Sequence, residues 1–418
     1  MAKNEQMKKI IILSFALFFG VFAKAQEEPE ITGFARNYLG VLYDDGDFAI
    51  IQNTFNVNFE KVGDKMAFKV NPMIFLFGVD SFDFRLREAY MDLYFDNMDI
   101  RIGKQQIVWG KADGVFITDV VSPLNLTEFL LPDFDEIRIG VTAVKWDYYI
   151  GNNTLELIWK PIFTSTIRPA PGSIWYVQPE FPAPATFDWS KSDVNASLEN
   201  SEILGKFTAI TSAIDFEIMG GYIWDANPTM HIEKHFDMTP GGPVLSGLTV
   251  TPEHHRLYLG GGSFSTEIKG VILRGEAAYY NGKYFNTADP LATDAVIQKD
   301  YLHYLVGLDF SLGGVKLSTQ FIQQYIMDYN DYIDSPETEN TMTALARYDI
   351  LGETLHLELF SYIGLTYNDA LIRPKITYDF ADGFSFLLGS NIFVGDEAGR
   401  FGQYGDNSMI YTKIKYSF

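Results

Sequence analysis

The chain has 418 residues, 32 basic against 54 acidic side chains and a net charge of −22, and no cysteine. That acidity argues against nucleic acid and anionic lipid surfaces as partners, and the missing thiols exclude disulfides, thiolate metal sites and a lipid-modified cysteine anchor. Aromatic residues make up 15% of the chain while mean hydropathy is near zero, so many large rings must be placed with few long apolar runs to carry them.

The N-terminus reads as a secretion signal over residues 1–25. Lys3, Lys8 and Lys9 precede an apolar stretch from Ile10 to Val21, and Ala23-Lys24-Ala25 forms a small-residue cleavage site before Gln26. The apolar stretch is too short to span a bilayer as a helix, which needs ~20 residues. Removing the four Lys and one Glu of residues 1–25 leaves 28 basic and 53 acidic side chains, a net charge of −25. With only Gln26 to Ile31 ahead of the first segment, a plug domain of the kind an energy-coupled transporter requires is not expected.

Residues 26–418 read as about eighteen alternating segments, or sixteen if a weak pair near Ile203 to Trp224 is discounted. In Phe48 to Glu60, Gln52, Thr54, Asn56 and Asn58 share one face, and Ile51, Phe55, Val57 and Phe59 share the other. Leu302, Tyr304, Val306, Leu308 and Phe310 oppose His303, Gly307, Asp309 and Ser311 in the same way. Period two with a greasy and a polar face is a strand between two solvents. Tight-turn residues recur at Val62-Gly-Asp64, Asn97-Met98, Gly151-Asn-Asn153, Ala213-Ile-Asp215, Lys269-Gly270, Gly313-Gly314, Leu351-Gly-Glu353 and Ala381-Asp-Gly383. Longer connections alternate with them: Trp109 to Asp135, Ser165 to Asn200, Ala226 to Glu253, Asn286 to Gln298 and Asn330 to Asn340. Short turns at one rim and long loops at the other are expected of an up-and-down transmembrane antiparallel β-barrel. An even strand count places both termini on the periplasmic side. The expected fold is therefore all-β, located in the bacterial outer membrane, with polar faces turned to a lumen.

The stretch Arg101-Ile-Gly-Lys-Gln-Gln-Ile-Val-Trp-Gly-Lys-Ala-Asp113, followed by Asp119-Val-Val-Ser-Pro-Leu-Asn-Leu126, resembles the G-[KR]-Q-x-x-x-W-G and D-x-x-x-P-x-[DN]-L runs of DUF1302 and alginate-export-like porin barrels. The resemblance covers about Ile100 to Gly140 and implies an outer-membrane channel. It also implies that this loop folds inward as a constriction; the alternative is a loop lying over the mouth. On the inward reading Lys104, Trp109 and the acids Asp113, Asp119, Glu128, Asp133 and Asp135 face a basic wall containing Arg101, Arg138, Arg274, Arg347 and Arg373. A second loop, Arg168 to Pro184 and beyond, offers Trp175, Tyr176, Phe181 and Trp189 as flat apolar faces for a solute; the alternative is a self-packed loop.

Enzyme motifs are missing: no G-x-S-x-G, H-E-x-x-H, phosphate loop or dinucleotide glycine pattern occurs. No cofactor or metal is expected, and His231 with His235 reads as a solvated pair. The last strand, Ile410-Tyr-Thr-Lys-Ile-Lys-Tyr-Ser-Phe418, resembles the closing strand of outer-membrane barrels, which implies recognition by the barrel-assembly machinery. Expected partners are outer-membrane lipid and lipopolysaccharide, a small-molecule solute, and two further copies in a homotrimer. The expected function is passive or weakly selective diffusion of small solutes. The alternatives are a dedicated export or uptake barrel for a hydrophobic or saccharide ligand, working with a periplasmic or inner-membrane partner, and a non-conducting structural or adhesion barrel.

Overall fold

The computed structural model describes residues 29–78 and 81–418; the secretion-signal reading falls outside them. In chain order the strands are β1 (Glu30–Leu42), β2 (Phe48–Val62), β3 (Met66–Phe77), β4 (Ser81–Tyr94), β5 (Met98–Gln105), β6 (Val141–Ile150), β7 (Asn153–Lys160), β8 (Ala185–Phe187), β9 (Glu202–Ile210), β10 (Asp215–Trp224), β11 (Thr229–Thr239), β12 (Gly242–Glu253), β13 (Arg256–Ile268) and β14 (Val271–Asn286). They continue with β15 (Val296–Leu312), β16 (Val315–Ile326), β17 (Thr338–Ile350), β18 (Leu355–Gly364), β19 (Asp369–Ala381), β20 (Phe384–Val394) and β21 (Met409–Ser417). All but β8, β11 and β12 join one eighteen-stranded sheet. It closes on itself through β1 and β21, paired antiparallel from Phe34↔Ser417 to Leu42↔Met409.

The segment over which sixteen and eighteen strands were both open forms a real hairpin, with β9 and β10 in register from Ile203↔Tyr222 to Ile210↔Asp215. Eighteen is therefore the count. The eight tight-turn sites read from the sequence all fall between strands at one rim, and the termini of the barrel lie there too. The other rim carries the long connections, including residues 106–140, 161–201 and 225–255. Above it, β11, β12 and β8 form a separate three-stranded sheet.

The faces are inverted relative to a water-soluble protein. On β2, Thr54 is fully buried while its neighbour Phe55 is 48% exposed. Outward apolar side chains such as Val306, Leu308, Ile376 and Ile414 are exposed all round the barrel. Lipid is the solvent for that belt, and a strand slipped by one residue would place polar groups in it. At the short-turn rim, rings gather as an interfacial girdle: Phe384 stacks on Tyr416 at 4.4 Å, Phe380 lies 5.8 Å from Phe384, and Trp146 lies 5.7 Å from Tyr148.

A loop across the lumen as candidate functional site

β5 ends after eight residues, while β4 continues outward for another eight that β5 never pairs. At Gln106 the chain leaves the wall and turns inward. Glu88 accepts the Gln106 N–H at 3.0 Å, and the Gln106 side chain donates to the carbonyl of Arg138 at 2.6 Å, tying the outgoing and returning legs together. Gly103 precedes the turn with φ +134°, and a Cβ there would lie 2.3 Å from the Ala89 carbonyl oxygen. Gly110 has φ +86° and sits against Thr118 and the Glu276 carboxylate. Only glycine allows the backbone to approach so closely at either point.

The first half of the loop docks on β14, β16 and β18. Glu276 on β14 accepts from the Lys111 N–H and from the Thr118 hydroxyl. Arg274, also on β14, donates to the Lys111 carbonyl and the Asp113 carboxylate, and reaches Asp309 at 3.0 Å. The Gln320 amide on β16 clamps Asp113 from both sides, donating to its carbonyl at 2.8 Å and accepting from its N–H at 3.0 Å. Tyr362 on β18 donates to the Gly114 carbonyl at 2.6 Å. Trp109 is 1% exposed; its indole N–H donates to Glu156 on β7, and Lys206 on β9 lies 5.4 Å from its ring centroid.

The second half docks on the opposite wall. Arg373 on β19 donates to the carbonyls of Leu130 and Leu131 at 3.0 and 2.7 Å. Arg36 on β1 makes a two-pronged pair with Glu136, both bonds 2.8 Å. Lys413 on β21 lies 3.7 Å from Asp133, Gln52 on β2 donates to Glu128 at 3.2 Å, and Arg87 on β4 donates to the Asp135 carbonyl at 2.6 Å. The loop thus crosses the lumen, gripped at both ends. Apolar clusters reinforce each half: Ile107, Trp109, Ile117 and Val121 pack on the wall from β6 to β16, and Phe129, Leu130, Leu131 and Ile137 pack among Tyr38, Phe393, Phe401 and Tyr404.

Burial and charge oppose each other along this loop. Burial pushes the Asp133 carboxyl upward, but Lys413, Lys375, Arg36 and Arg373 together outweigh it and hold the group at about 2. Its side chain is half-exposed to the lumen, so water screens part of that field. At Asp119 burial wins: the carboxyl titrates above its ordinary value although it accepts from Arg138 at 2.6 Å and from the Trp109 N–H at 3.1 Å. Glu128 is likewise raised by burial, against the pull of Lys413.

Three cavities lie on the β14–β19 side, and loop residues border two of them. An outer one of about 400 Å³ is bordered by Asp225, Lys283, Tyr284, Asp334 and Glu339. A middle one of about 140 Å³ is mostly apolar, bordered by Val115, Phe116, Leu130 and Tyr362, with His303 and Arg400. An inner one of about 310 Å³ is charged, bordered by Asp113, Asp133, Phe134, Arg347, Glu358, Arg373 and Lys375. Gln324 borders both the outer and middle spaces.

The candidate residues separate into groups. Asp113, Asp133, Arg347 and Arg373 meet at the inner cavity. Trp109, Asp119, Glu128, Asp135, Arg138 and Arg274 hold the loop in place, and Arg138 belongs to the loop's own returning leg rather than to an opposing wall. Arg101 faces no loop acid: it pairs in register with Asp92 on β4 at 2.7 Å and covers the Tyr90 ring, since β5 at this point is still wall. Lys104 has the strand parity of Ile100 and Ile102, which places it on the outward side of β5 rather than in the lumen.

The second loop is packed partly on itself and partly on β20 and the β20–β21 connection. Trp175 is 3% exposed, wedged against Phe393 and Tyr404 at 5.8 and 5.6 Å. Tyr176 is half-buried, Phe181 packs on Phe187, and only Trp189, stacked on Phe187, presents an open face. Sequence reasoning missed Arg36, Glu136, Gln320 and Tyr362; each sits at a lumen position that strand parity or the loop boundary marks, but nothing in the sequence names its partner.

The family described as "Protein of unknown function (DUF1302)" matches residues 79–193, a span that includes the whole inward loop. Among solved structures, Acinetobacter baumannii OccAB1 superimposes with a TM-score of 0.54 at 9% identity, covering 93% of this chain and 95% of that one. Pseudomonas aeruginosa OpdL does so at 0.52 and 11%, covering 94% and 99%, and the outer membrane protein OpdK of the same organism at 0.51 and 10%, with the same coverage. No curated protein matches in sequence. At such identities the likeness is one of fold, and it agrees with the lipid-facing belt and the closed eighteen-stranded wall. The chain thus has the closed eighteen-stranded fold of these outer-membrane proteins, and residues 79–193, which carry its lumen-crossing loop, are similar to the DUF1302 family.

Proposed function

We propose that this porin-like barrel is a passive, weakly selective channel for small solutes, with the 106–140 loop as its constriction. The observation that carries the reading is the loop's span from β14–β18 to β19–β4, which leaves charged spaces beside it. Solutes would pass from the outer cavity, along the loop, to the inner one. There Asp113, Asp133 and Glu358 face Arg347, Arg373 and Lys375. Opposed charges around a narrow water path orient dipolar solutes and discriminate among ions. Trp109, Asp119, Arg138 and Arg274 would act as positioning residues for the loop. Residues 1–25 as a cleaved signal, lipopolysaccharide contact, recognition of the closing strand by the assembly machinery, and a homotrimer belong to the same proposal.

The test is conductance of the detergent-folded protein in planar bilayers against a panel of ions, sugars and fatty acids. Stable conductance is expected, and Arg347→Gln with Lys375→Gln should shift ion preference toward cations. Conductance with unchanged selectivity in that variant would remove the inner cavity from the path. A second reading, a barrel whose lumen stays shut, is favoured by the two apolar clusters that flank the loop. No conductance for any solute would establish it and overturn the channel. Block by one solute class alone would instead favour a dedicated barrel.

A further inference from the structure

His231 and His255 meet at the outer rim, away from the lumen loop. Their Nε2 atoms lie 2.8 Å apart. The Nδ1 of His231 contacts the Asp294 carboxylate at 3.0 Å, and the His255 ring stacks on Tyr284 with centroids 3.8 Å apart. Three separate elements fix this arrangement. His231 is on β11, His255 follows β12, and Asp294 lies in the β14–β15 connection, whose backbone carbonyl at Asp294 also accepts the Ile232 N–H at 2.8 Å. Tyr284 belongs to β14 and borders the outer cavity.

Two neutral imidazoles this close share one proton along the Nε2–Nε2 line, so one ring presents a lone pair toward the other. With the His231 Nδ1–H held by Asp294, the lone pair of that ring is on Nε2. His255 can match it by carrying its own proton on Nδ1, a change of tautomer that gives up the Nε2–Nε2 hydrogen bond in exchange for the metal. The ring centroids are 5.0 Å apart, so the two Nε2 atoms face each other almost head-on across the gap. A carboxylate behind a ligating imidazole is the usual outer support of such a ligand, fixing tautomer and ring orientation and raising basicity. A tetrahedral ion with Zn–N bonds of about 2.0–2.1 Å separates its two nitrogens by about 3.3 Å, so the nitrogens must part by about 0.5 Å and each ring must turn by roughly 35° to aim its lone pair at the ion. Among the described residues no three His, Cys, Asp or Glu side chains gather to hold a metal, which leaves the remaining coordination positions to water.

We propose that His231 and His255 form a surface site for a divalent first-row transition-metal ion, with Asp294 as the positioning residue. Bound metal would join the end of the outer β11–β12 hairpin to the connection that follows it, directly against the wall tyrosine. Imidazole-only donors favour Cu²⁺, Ni²⁺ and Zn²⁺ over Mg²⁺ and Ca²⁺. The proposal is independent of whether the barrel conducts.

The test is calorimetric titration of the full folded protein with Zn²⁺, Ni²⁺ and Mg²⁺, with the Cu²⁺ complex read by electron paramagnetic resonance. One equivalent of Zn²⁺ or Ni²⁺ per chain is expected, no Mg²⁺, and a two-nitrogen copper signature. His231→Gln and His255→Gln should each abolish that equivalent, and Asp294→Asn should weaken it about 10–100-fold. His235→Gln serves as the control, since His235 bonds Thr249 at 2.7 Å on the same hairpin. Circular dichroism of each variant establishes that the barrel is folded. The proposal is overturned if the wild-type protein takes up no metal, or if folded His231→Gln and His255→Gln bind it as the wild type does.

Discussion

Breaking the Arg36–Glu136 pair should loosen the second half of the lumen loop without opening the barrel wall. The two side chains are 6% and 15% exposed and joined by two parallel bonds of 2.8 Å. Removing one partner leaves the other as an uncompensated charge in a poorly solvated place, which costs about 3–5 kcal/mol; removing both is often nearly neutral. Arg36→Met and Glu136→Gln should therefore each shift the docked–undocked equilibrium of residues 123–138 by about 150- to 4,000-fold. The double variant should recover most of that loss. Urea unfolding from lipid vesicles measures the singles and the double as a cycle, and current noise in a bilayer reports loop motion if the barrel conducts. Equal stability of all four proteins would mean that the pair does not hold the loop. A double variant as unstable as the sum of the singles would mean that the two residues act separately.

Three further outcomes are expected. Asp133 is held down to about 2 by the surrounding cations, against about 3.9 for a free Asp. Its stabilisation of the docked loop is therefore complete above pH 4 and is lost as the pH falls toward 2; urea midpoints of the wild type but not of Asp133→Asn should show that loss. Gly103→Ala must fit a Cβ 2.3 Å from a backbone oxygen at φ +134°. It should cost about 2–4 kcal/mol and lower the folded fraction on unheated gels, whereas Gly46→Ala, in open space at φ +79°, should cost about 1. Ile376→Arg puts a charge on the lipid face in the middle of β19, where Ile376 is 46% exposed, and should destabilise by about 2–4 kcal/mol; Lys375→Arg on the opposite face should cost far less, as vesicle unfolding would report.

The wall was legible because lipid enforces period two. Thr54 and Phe55, or Lys375 and Ile376, cannot exchange faces without a penalty, so the pattern survives along the barrel wall. The eight tight turns were legible because Gly, Asn and Asp supply backbone geometry that few other residues adopt. The lumen was less so. Its pairings join Arg36 to Glu136, Arg274 to Asp113 and Arg373 to Leu130, partners chosen by position around a circumference and not by any sequence period. Whether Trp175 is open or packed stays undecided in the sequence because its cover, Phe393 and Tyr404, arrives from the far end of the chain. His231 was weighed against His235, four residues away, when the ring it touches is His255. Along a strand, a spacing of four carries two side chains some 13 Å apart.

The seam of the cylinder is formed by the first and last strands, and both hold the same middle segment: Arg36 on one grips Glu136, and Lys413 on the other reaches Asp133. The crossing segment therefore ties the two seam strands together through its side chains, in addition to the backbone ladder that joins them from Phe34↔Ser417 to Leu42↔Met409.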